Sequence, residues 1–210
     1  MTPQRVLWYF ADPMCSWCWG FAPVISAIKD AYADRLAIVL MLGGLRPGTT
    51  DPVTPKFREE TLHHWQDVHR MTGQPFVFEN AMPEGFVYDT EPPSRAVIAV
   101  ADLNPDAIFP YFKSLQEAFY AKQQNVTQVN TLAALAEQHH IETPKFLERF
   151  HSEDIMNKTR KHFEITRDAG VHGFPTIVLQ RQSGGTLLTN GYRPFEELRP
   201  GIDAWLAGSK

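Results

Sequence analysis

Cysteine is scarce in this chain, with two among 210 residues. A closed structural zinc site needs more ligands than that. Histidines would have to complete it, and His63, His64 and His69 have no cysteine neighbour to pair with. Basic charge is not in excess either, and the formal net charge of −4 argues against nucleic acid as a main partner. No apolar run is long enough to span a bilayer, which argues against a membrane partner. Repeats and low-complexity tracts are missing, and even Gly73–Tyr88, rich in Phe, Pro and Gly, reads as an ordered loop. The opening Met1-Thr2-Pro3-Gln4-Arg5 leads straight into a strand-like run, without the charged, apolar and small-residue regions of a signal peptide. The expectation is a cytoplasmic protein. In that compartment paired thiols are more often catalytic, redox-sensing or metal-binding than structural.

What the chain does have is a dithiol in an informative place. Cys15-Ser16-Trp17-Cys18 lies between Val6–Phe10, which reads as a buried strand, and a helix from about Cys15 to Ala33 whose Phe21, Val24, Ile25 and Ile28 recur at helical spacing. Asp12-Pro13 reads as a helix start, with Asp12 as N-cap and the proline in the first turn. Thiols so placed can close into a disulfide and reopen. The orphan amides and partial positive charge of a helix N-terminus stabilise a thiolate. This is the chemistry of dithiol–disulfide exchange.

Apart from the dithiol, the two ends of the chain differ in texture from its middle. Leu36–Leu42 is apolar at nearly every position, as a strand covered on both faces should be, and Gly43-Gly44 end it. Near the C-terminus, Thr176–Leu179 reads as a strand, Ser183–Gly185 as a turn and Thr186–Thr189 as the antiparallel partner, with Asn190-Gly191 closing the hairpin. A last helix spans about Pro194–Leu206, with Pro200-Gly201 marking a kink or break. Between the ends, helical patterns cover Pro55–Met71, Pro92–Asp102, Ala107–Ala121, Gln128–His139, Thr143–Phe150 and Ser152–Ala169, and no strand pattern stands out. The expected fold is α/β: a β-α-β half and a β-β-α half separated by a large all-helical insertion. Residues 1–45 and 170–210 then form one discontinuous domain, 46–151 a helical insertion or cap, and the helix at about 152–169 bridges the two.

This order, with C-x-x-C after the first strand, resembles the thioredoxin fold. Pro23 follows Cys18 at the spacing of that fold's helix-kinking proline, and Gly173-Phe174-Pro175-Thr176 stands where it carries a cis-proline before its third strand. The segments Asp12-Pro-Met-Cys-Ser-Trp-Cys-Trp-Gly and Leu42-Gly-Gly-Leu, with the helical insertion, resemble the DsbA-like family and within it the predicted cytosolic protein-disulfide isomerase group. The resemblance implies a thiol–disulfide oxidoreductase in which Cys15 attacks and Cys18 resolves. Ser16, Trp17, Phe174 and Pro175 would bind substrate, and Met14, Trp17 and Trp19 would form an apolar lip. It implies no bound cofactor and no metal. The partners would be protein or peptide thiols and disulfides, with glutathione as a thiol co-substrate. Ser16-Trp17 stands where DsbA has Pro-His and thioredoxin has Gly-Pro. The DsbA extreme of thiol acidity is therefore not implied, and a thiol of intermediate acidity is expected.

Two auxiliary candidates complete the set. His172 precedes the Gly-Phe-Pro turn and is either a proton-transfer group or an exposed loop histidine. Asp12 would oppose a thiolate if its carboxylate lies close. Phe76, Phe78, Phe86 and Tyr88 read as core of the insertion rather than as a binding platform, with the wall of a groove facing Cys15 as the alternative. Two other functions stand beside disulfide exchange. One is a glutathione-dependent isomerase or transferase of the 2-hydroxychromene-carboxylate isomerase or kappa-class type, although those usually present a serine at the active position. The other is a non-enzymatic binding module that senses redox state.

Overall fold

A computed structural model describes residues 5–182 and 184–208. Met1–Gln4, Ser183 and Ser209–Lys210 lie outside it, and with them the leading residues of the chain and the first residue of the Ser183–Gly185 segment. β1 (Val6–Ala11) is an inner strand, parallel to β2 (Ala37–Leu42) on one side and antiparallel to β3 (Thr176–Arg181) on the other. β4 (Gly184–Asn190) pairs antiparallel with β3, giving the order β2-β1-β3-β4. β1 is covered on both faces and reads apolar along its length, with Leu7, Tyr9 and Ala11 fully buried on one face and Phe10 nearly so on the other. α1 (Ser16–Tyr32) makes the crossover that a parallel β1–β2 pair needs.

After β2 come α2 (Pro55–Thr72), α3 (Glu91–Leu103), a 3₁₀ turn at Pro105–Ala107, α4 (Ile108–Tyr120), α5 (Val129–Glu137), α6 (Thr143–Phe150) and α7 (Glu153–Asp168); α8 (Phe195–Ala207) follows the hairpin. A β-α-β half and a β-β-α half thus share one mixed sheet, with helices between them in sequence: a thioredoxin-like fold. One apolar cluster runs from the sheet through α1 into the intervening helices. α7 fastens the end of β2. Thr166 donates to the Leu42 carbonyl at 2.9 Å, and His162 Nδ1 accepts from the Leu42 amide at 3.3 Å. Burial pushes His162 down to about 4, so it is neutral and free to accept.

Three local readings are corrected. Asp12 is not the N-cap of α1; Cys15 is, with extended backbone (φ −89°, ψ 117°) and no side-chain cap bond. The Asp12 carboxylate is used elsewhere, as described below. Gly184 and Gly185 belong to the strand, pairing with Arg181 and Gln180, because Gly184 takes a φ of 135° that a side chain would resist. Pro200 does not break α8, which runs unbroken from Phe195 to Ala207.

Pro23, inside α1, has a consequence outside it. Proline lacks the amide that would bond the carbonyl of the residue a turn earlier, here Trp19. That carbonyl accepts instead from Gln74 Nε2 at 2.8 Å, while Trp19 Nε1 donates to the Pro75 carbonyl at 3.0 Å. The loop after α2 is thereby tied to the dithiol helix. Replacing Gln74 with Leu should cost about 1 kcal/mol in urea denaturation, since it orphans a carbonyl. In a Pro23→Ala background the same change should cost about half that or less, because an alanine amide restores the intrahelical donor. Equal costs in both backgrounds would refute the coupling.

Candidate active site

The chain turns sharply from β1 into α1, and Asp12 holds the turn. Its carboxylate, fully buried, accepts from the Met14 amide at 2.9 Å and from the Leu45 amide at 2.8 Å, with the Thr90 hydroxyl beside it. It therefore joins the dithiol loop to the segment after β2. Burial raises Asp12 to about 6, against the lowering pull of those donors. The Asp12 backbone carbonyl accepts from the Cys15 amide at 3.1 Å, and the Cys15 carbonyl opens the helix by accepting from Cys18 and Trp19 at 3.0 and 3.1 Å.

Both thiols are free. Cys15 is 7% exposed and lies at the positive end of α1, and Cys18 is 0% exposed in its first turn. Burial is the main reason that the Cys18 thiol is pushed well above its ordinary range, with the neighbouring Cys15 next and the Asp12 charge adding to it. One sulfur thus meets the surface and the other is held protonated behind it.

Cys15 Sγ donates to the Phe174 carbonyl at 3.4 Å, and the Phe174–Pro175 peptide bond is cis. The Pro175 carbonyl is in turn held by the Gly191 amide at 2.8 Å, which fixes this segment to the end of the hairpin. The Phe174 ring lies flat on Gly43. A Cβ built there would sit 2.0 Å from the ring, so the residue after β2 must be glycine for Phe174 to reach its place.

Cys15 opens into a groove of about 490 Å³. Met14, Ser16, Trp17 and Phe174 line it from the dithiol side, and Leu45, Arg46, Phe57, Thr61, His64, Trp65 and Tyr88 from the other. The Arg46 guanidinium stacks over the Phe57 ring at 4.5 Å, and Tyr88 Oη donates to the Met14 carbonyl at 2.5 Å. Ser16, Trp17 and Phe174 are thus brought together around Cys15. Pro175 is buried behind them, and Asp12 sits beneath the loop. His172 is exposed and does not line the groove. Trp19 is no part of a lip, being buried, stacked on Tyr120 and bonded to Pro75. The sequence reading missed the far wall. His64 and Arg46 carry no motif, and only the heptad-like spacing of Phe57, Thr61, His64 and Trp65 on α2 marks them as one face. Tyr88 is both core and wall, so of the aromatic set Phe76, Phe78, Phe86 and Tyr88 it alone takes up the groove alternative. Among the described residues, no three His, Cys, Asp or Glu side chains converge as metal ligands.

A thioredoxin-like sheet with a helix-borne dithiol, one thiol open to a groove and one buried, defines a dithiol protein of the thioredoxin-fold class. Residues 6–201 match the DsbA-like thioredoxin domain, and the chain belongs to that family. A solved structure from Nitrosomonas europaea, described as a "putative protein disulfide isomerase", is 45% identical with a TM-score of 0.93, covering 99% of this chain and 100% of that one. The cytosolic disulfide reductase DsbM of Pseudomonas aeruginosa is 25% identical with a TM-score of 0.80, covering 97% and 100%; its structure with GSH gives 24% and 0.76, covering 96% and 99%. The ClpXP adapter protein SpxH of Halalkalibacterium halodurans is 24% identical over 183 residues, 82% of this chain. The chain spans 57% of that protein's length.

Two outcomes test this geometry. Gly43→Ala should displace the Phe174 ring, lower stability by about 1–3 kcal/mol through overpacking, and slow reaction of Cys15 with a peptide disulfide. Unchanged stability and reactivity would show that Phe174 is not so confined. For Asp12, the folded value of about 6 lies above the unfolded 3.8, so its contribution to stability is present in acid and lost as pH rises through that window. Urea denaturation of wild type and Asp12→Asn at pH 4 and pH 7.5 should show the variant gaining on wild type by up to about 3 kcal/mol as pH rises. A constant difference would refute the buried-charge assignment.

Proposed function

We propose that the protein is a thiol–disulfide oxidoreductase acting as a reductase or isomerase on disulfides of peptides or proteins in the cytoplasm, with glutathione as a thiol co-substrate. The observation that carries this is the Cys15 sulfur, free, at a helix start, facing a groove and bonded to the Phe174 carbonyl, with Cys18 directly behind it. In the forward direction Cys15, as thiolate, attacks one sulfur of a substrate disulfide. A Cys15–substrate bond forms, and the other substrate sulfur leaves with the electron pair. Cys18 then attacks Cys15, the substrate thiolate leaves and takes a proton, and the protein is left as the Cys15–Cys18 disulfide. Two electrons pass to the substrate. Two molecules of a thiol such as glutathione return them: the first opens the Cys15–Cys18 bond as a mixed disulfide, and the second displaces the protein thiol and leaves as the disulfide of the small thiol.

Deprotonation of Cys15 removes the donor that the Phe174 carbonyl uses. The carbonyl is then free for a substrate amide, so substrate docking and thiolate formation favour one another. Ser16 and Trp17 flank the sulfur on the open side. Arg46 and His64 on the far wall suit a carboxylate of glutathione or of a peptide. The helical segment 46–151 serves as the cap that supplies this wall. Similarity to a cytosolic reductase and to a protein described as a disulfide isomerase supports the reading.

A second reading, a binding module whose dithiol only reports redox state, is favoured by the similarity to an adapter protein. Insulin reduction by dithiothreitol separates the two. Wild type should accelerate precipitation of the insulin B chain, Cys15→Ser should give the uncatalysed rate, and Cys18→Ser should accumulate a mixed disulfide with substrate. Equal rates for all three, at or near the uncatalysed value, would remove the enzyme reading.

A further inference from the structure

The Met14 carbonyl lies one residue before the N-cap of α1, out of reach of the helix amides, since the first carbonyl the helix uses is that of Cys15. Met14 is fully buried, so bulk water does not serve that carbonyl either. Among the described residues its one donor is the Tyr88 hydroxyl, at 2.5 Å. The same peptide unit is held at its other end, where the Cys15 amide donates to the Asp12 carbonyl at 3.1 Å. The peptide plane that carries the chain into Cys15 is thus fixed twice, once from within its own turn and once from a residue 74 positions away.

Tyr88 is itself held in place. The segment around it is pinned on either side: the Phe86 carbonyl accepts from the Val53 amide at 2.8 Å, and Thr90 exchanges two bonds with Arg46. In that exchange the Thr90 hydroxyl accepts from the Arg46 amide at 3.0 Å, and the Thr90 amide donates to the Arg46 carbonyl at 3.3 Å. The Tyr88 ring meets Phe57, Phe86 and Phe119 edge-on, with centroids 5.8, 6.0 and 5.7 Å away. Burial pushes Tyr88 well above its ordinary range, so it remains a hydroxyl, and a donor, wherever a thiol titrates. Phenylalanine would fill this space equally well, so the hydroxyl calls for a reason of its own.

We propose that Tyr88 is a positioning residue for the nucleophile: by bonding the Met14 carbonyl it makes the Cys15 thiolate easier to form. The inference rests on the exchange reaction proposed above, in which Cys15 attacks as thiolate. A carbonyl presents its negative end, and this one belongs to the peptide bond that leads into Cys15. Left bare in a buried site it would oppose charge on the sulfur, and the phenol proton offsets it. The bond also keeps the peptide from turning, which would draw the Cys15 amide away from Asp12. Tyr88 acts through that peptide and neither gives nor takes a proton in the reaction. The other titratable and charged groups around the sulfur are Cys18 on α1, Asp12 in the preceding turn, Tyr9 on β1, Tyr120 on α4, and Arg46 and His64 across the groove. Removing the Tyr88 hydroxyl deletes none of them. The helix start is therefore not the whole source of the acidity of Cys15, part of which comes from the segment inserted after β2.

Alkylation by iodoacetamide, a small neutral reagent, reads thiolate formation without substrate docking, and a Cys18→Ser background leaves Cys15 as the one thiol. In that background Tyr88→Phe should raise the pH midpoint of alkylation by about half a unit, a threefold loss of rate below the midpoint, with the high-pH rate kept or slightly raised. Replacing Tyr88 with 3-fluorotyrosine, a stronger donor of nearly the same size, should move the midpoint down. Gln74→Leu, which loosens a different tie to α1, should leave it where it is. A merely structural role would lower the unfolding midpoint and leave the pH midpoint alone. Should Tyr88→Phe fold poorly, the fluorotyrosine protein decides. A pH midpoint unmoved in both Tyr88 variants would overturn the positioning role, and so would an equal rise in Gln74→Leu. With both thiols present, Tyr88→Phe should slow insulin reduction about threefold below that midpoint. Wild type that fails to speed insulin reduction, with the alkylation shift intact, would overturn the exchange reaction and with it the part given to Tyr88 in it.

Discussion

The contact between the Cys15 sulfur and the Phe174 carbonyl joins residues 159 positions apart, and much of the architecture exists to make it. β1 delivers Cys15 and β3 begins just after Phe174, so the two meet only because β1 and β3 are adjacent and antiparallel. That adjacency brings the ends of the chain together, and the helices between must leave and return. They return through α7, whose Thr166 and His162 clasp Leu42 at the end of β2. One residue on, Gly43 accepts the Phe174 ring where a methyl group would collide with it. Asp12 binds the Leu45 amide in the same segment. The three approaches to the reactive sulfur (the β1–α1 turn, the end of β2 and the lead into β3) are therefore tied to one another rather than separately to the core.

Burying a carboxylate at that junction has an electrostatic cost. Asp12 sits near 6 because desolvation outweighs its amide partners, and its charge bears on Cys18. His162 has the opposite response. It is depressed to about 4, so its neutral form is the one the fold wants and acid works against it. Between pH 4 and pH 6 the two groups pull stability in opposite directions: protonation favours the folded state through Asp12 and disfavours it through His162.

The fold was legible where burial and backbone chemistry leave local marks. Burial gave β1 and the Leu40–Leu42 end of β2 their apolar runs, although β2 is an edge strand with Ala37 exposed and Ile38 and Val39 half-buried, and amphipathic spacing gave α2 to α7 their extents to within a few residues. The dithiol was legible because two cysteines at that spacing leave little else to be. Less legible were residues whose part is decided by distant partners. Asp12 looked like an N-cap because the sequence could not show Leu45 coming to meet it. Gly43 looked like a strand terminator because nothing local says that a ring from residue 174 rests on it. His64 and Arg46 share a groove with Cys15 only through the packing of α2 against α1, whose close point is Gly20 against Val68 and Thr72. His172, next to the right turn in sequence, points to solvent, since adjacency along a chain says nothing of direction.

Helix geometry gives the two sulfurs different surroundings. Cys15, as N-cap, has extended backbone and sits just outside the helix, so its side chain turns toward the approaching Phe174 and the groove. Cys18, in the first turn, is fully helical, and its side chain lies along the row that continues through Ala22 and Ile25 beneath α4. A spacing one residue shorter or longer would carry the second sulfur about 100° around the helix and off that row. The pairing of an open thiol with a buried one is thus a product of where the helix begins. Asp12 sets that beginning without capping it: its carboxylate holds the Met14 amide and its carbonyl holds the Cys15 amide, so the chain can first turn helical at Ser16.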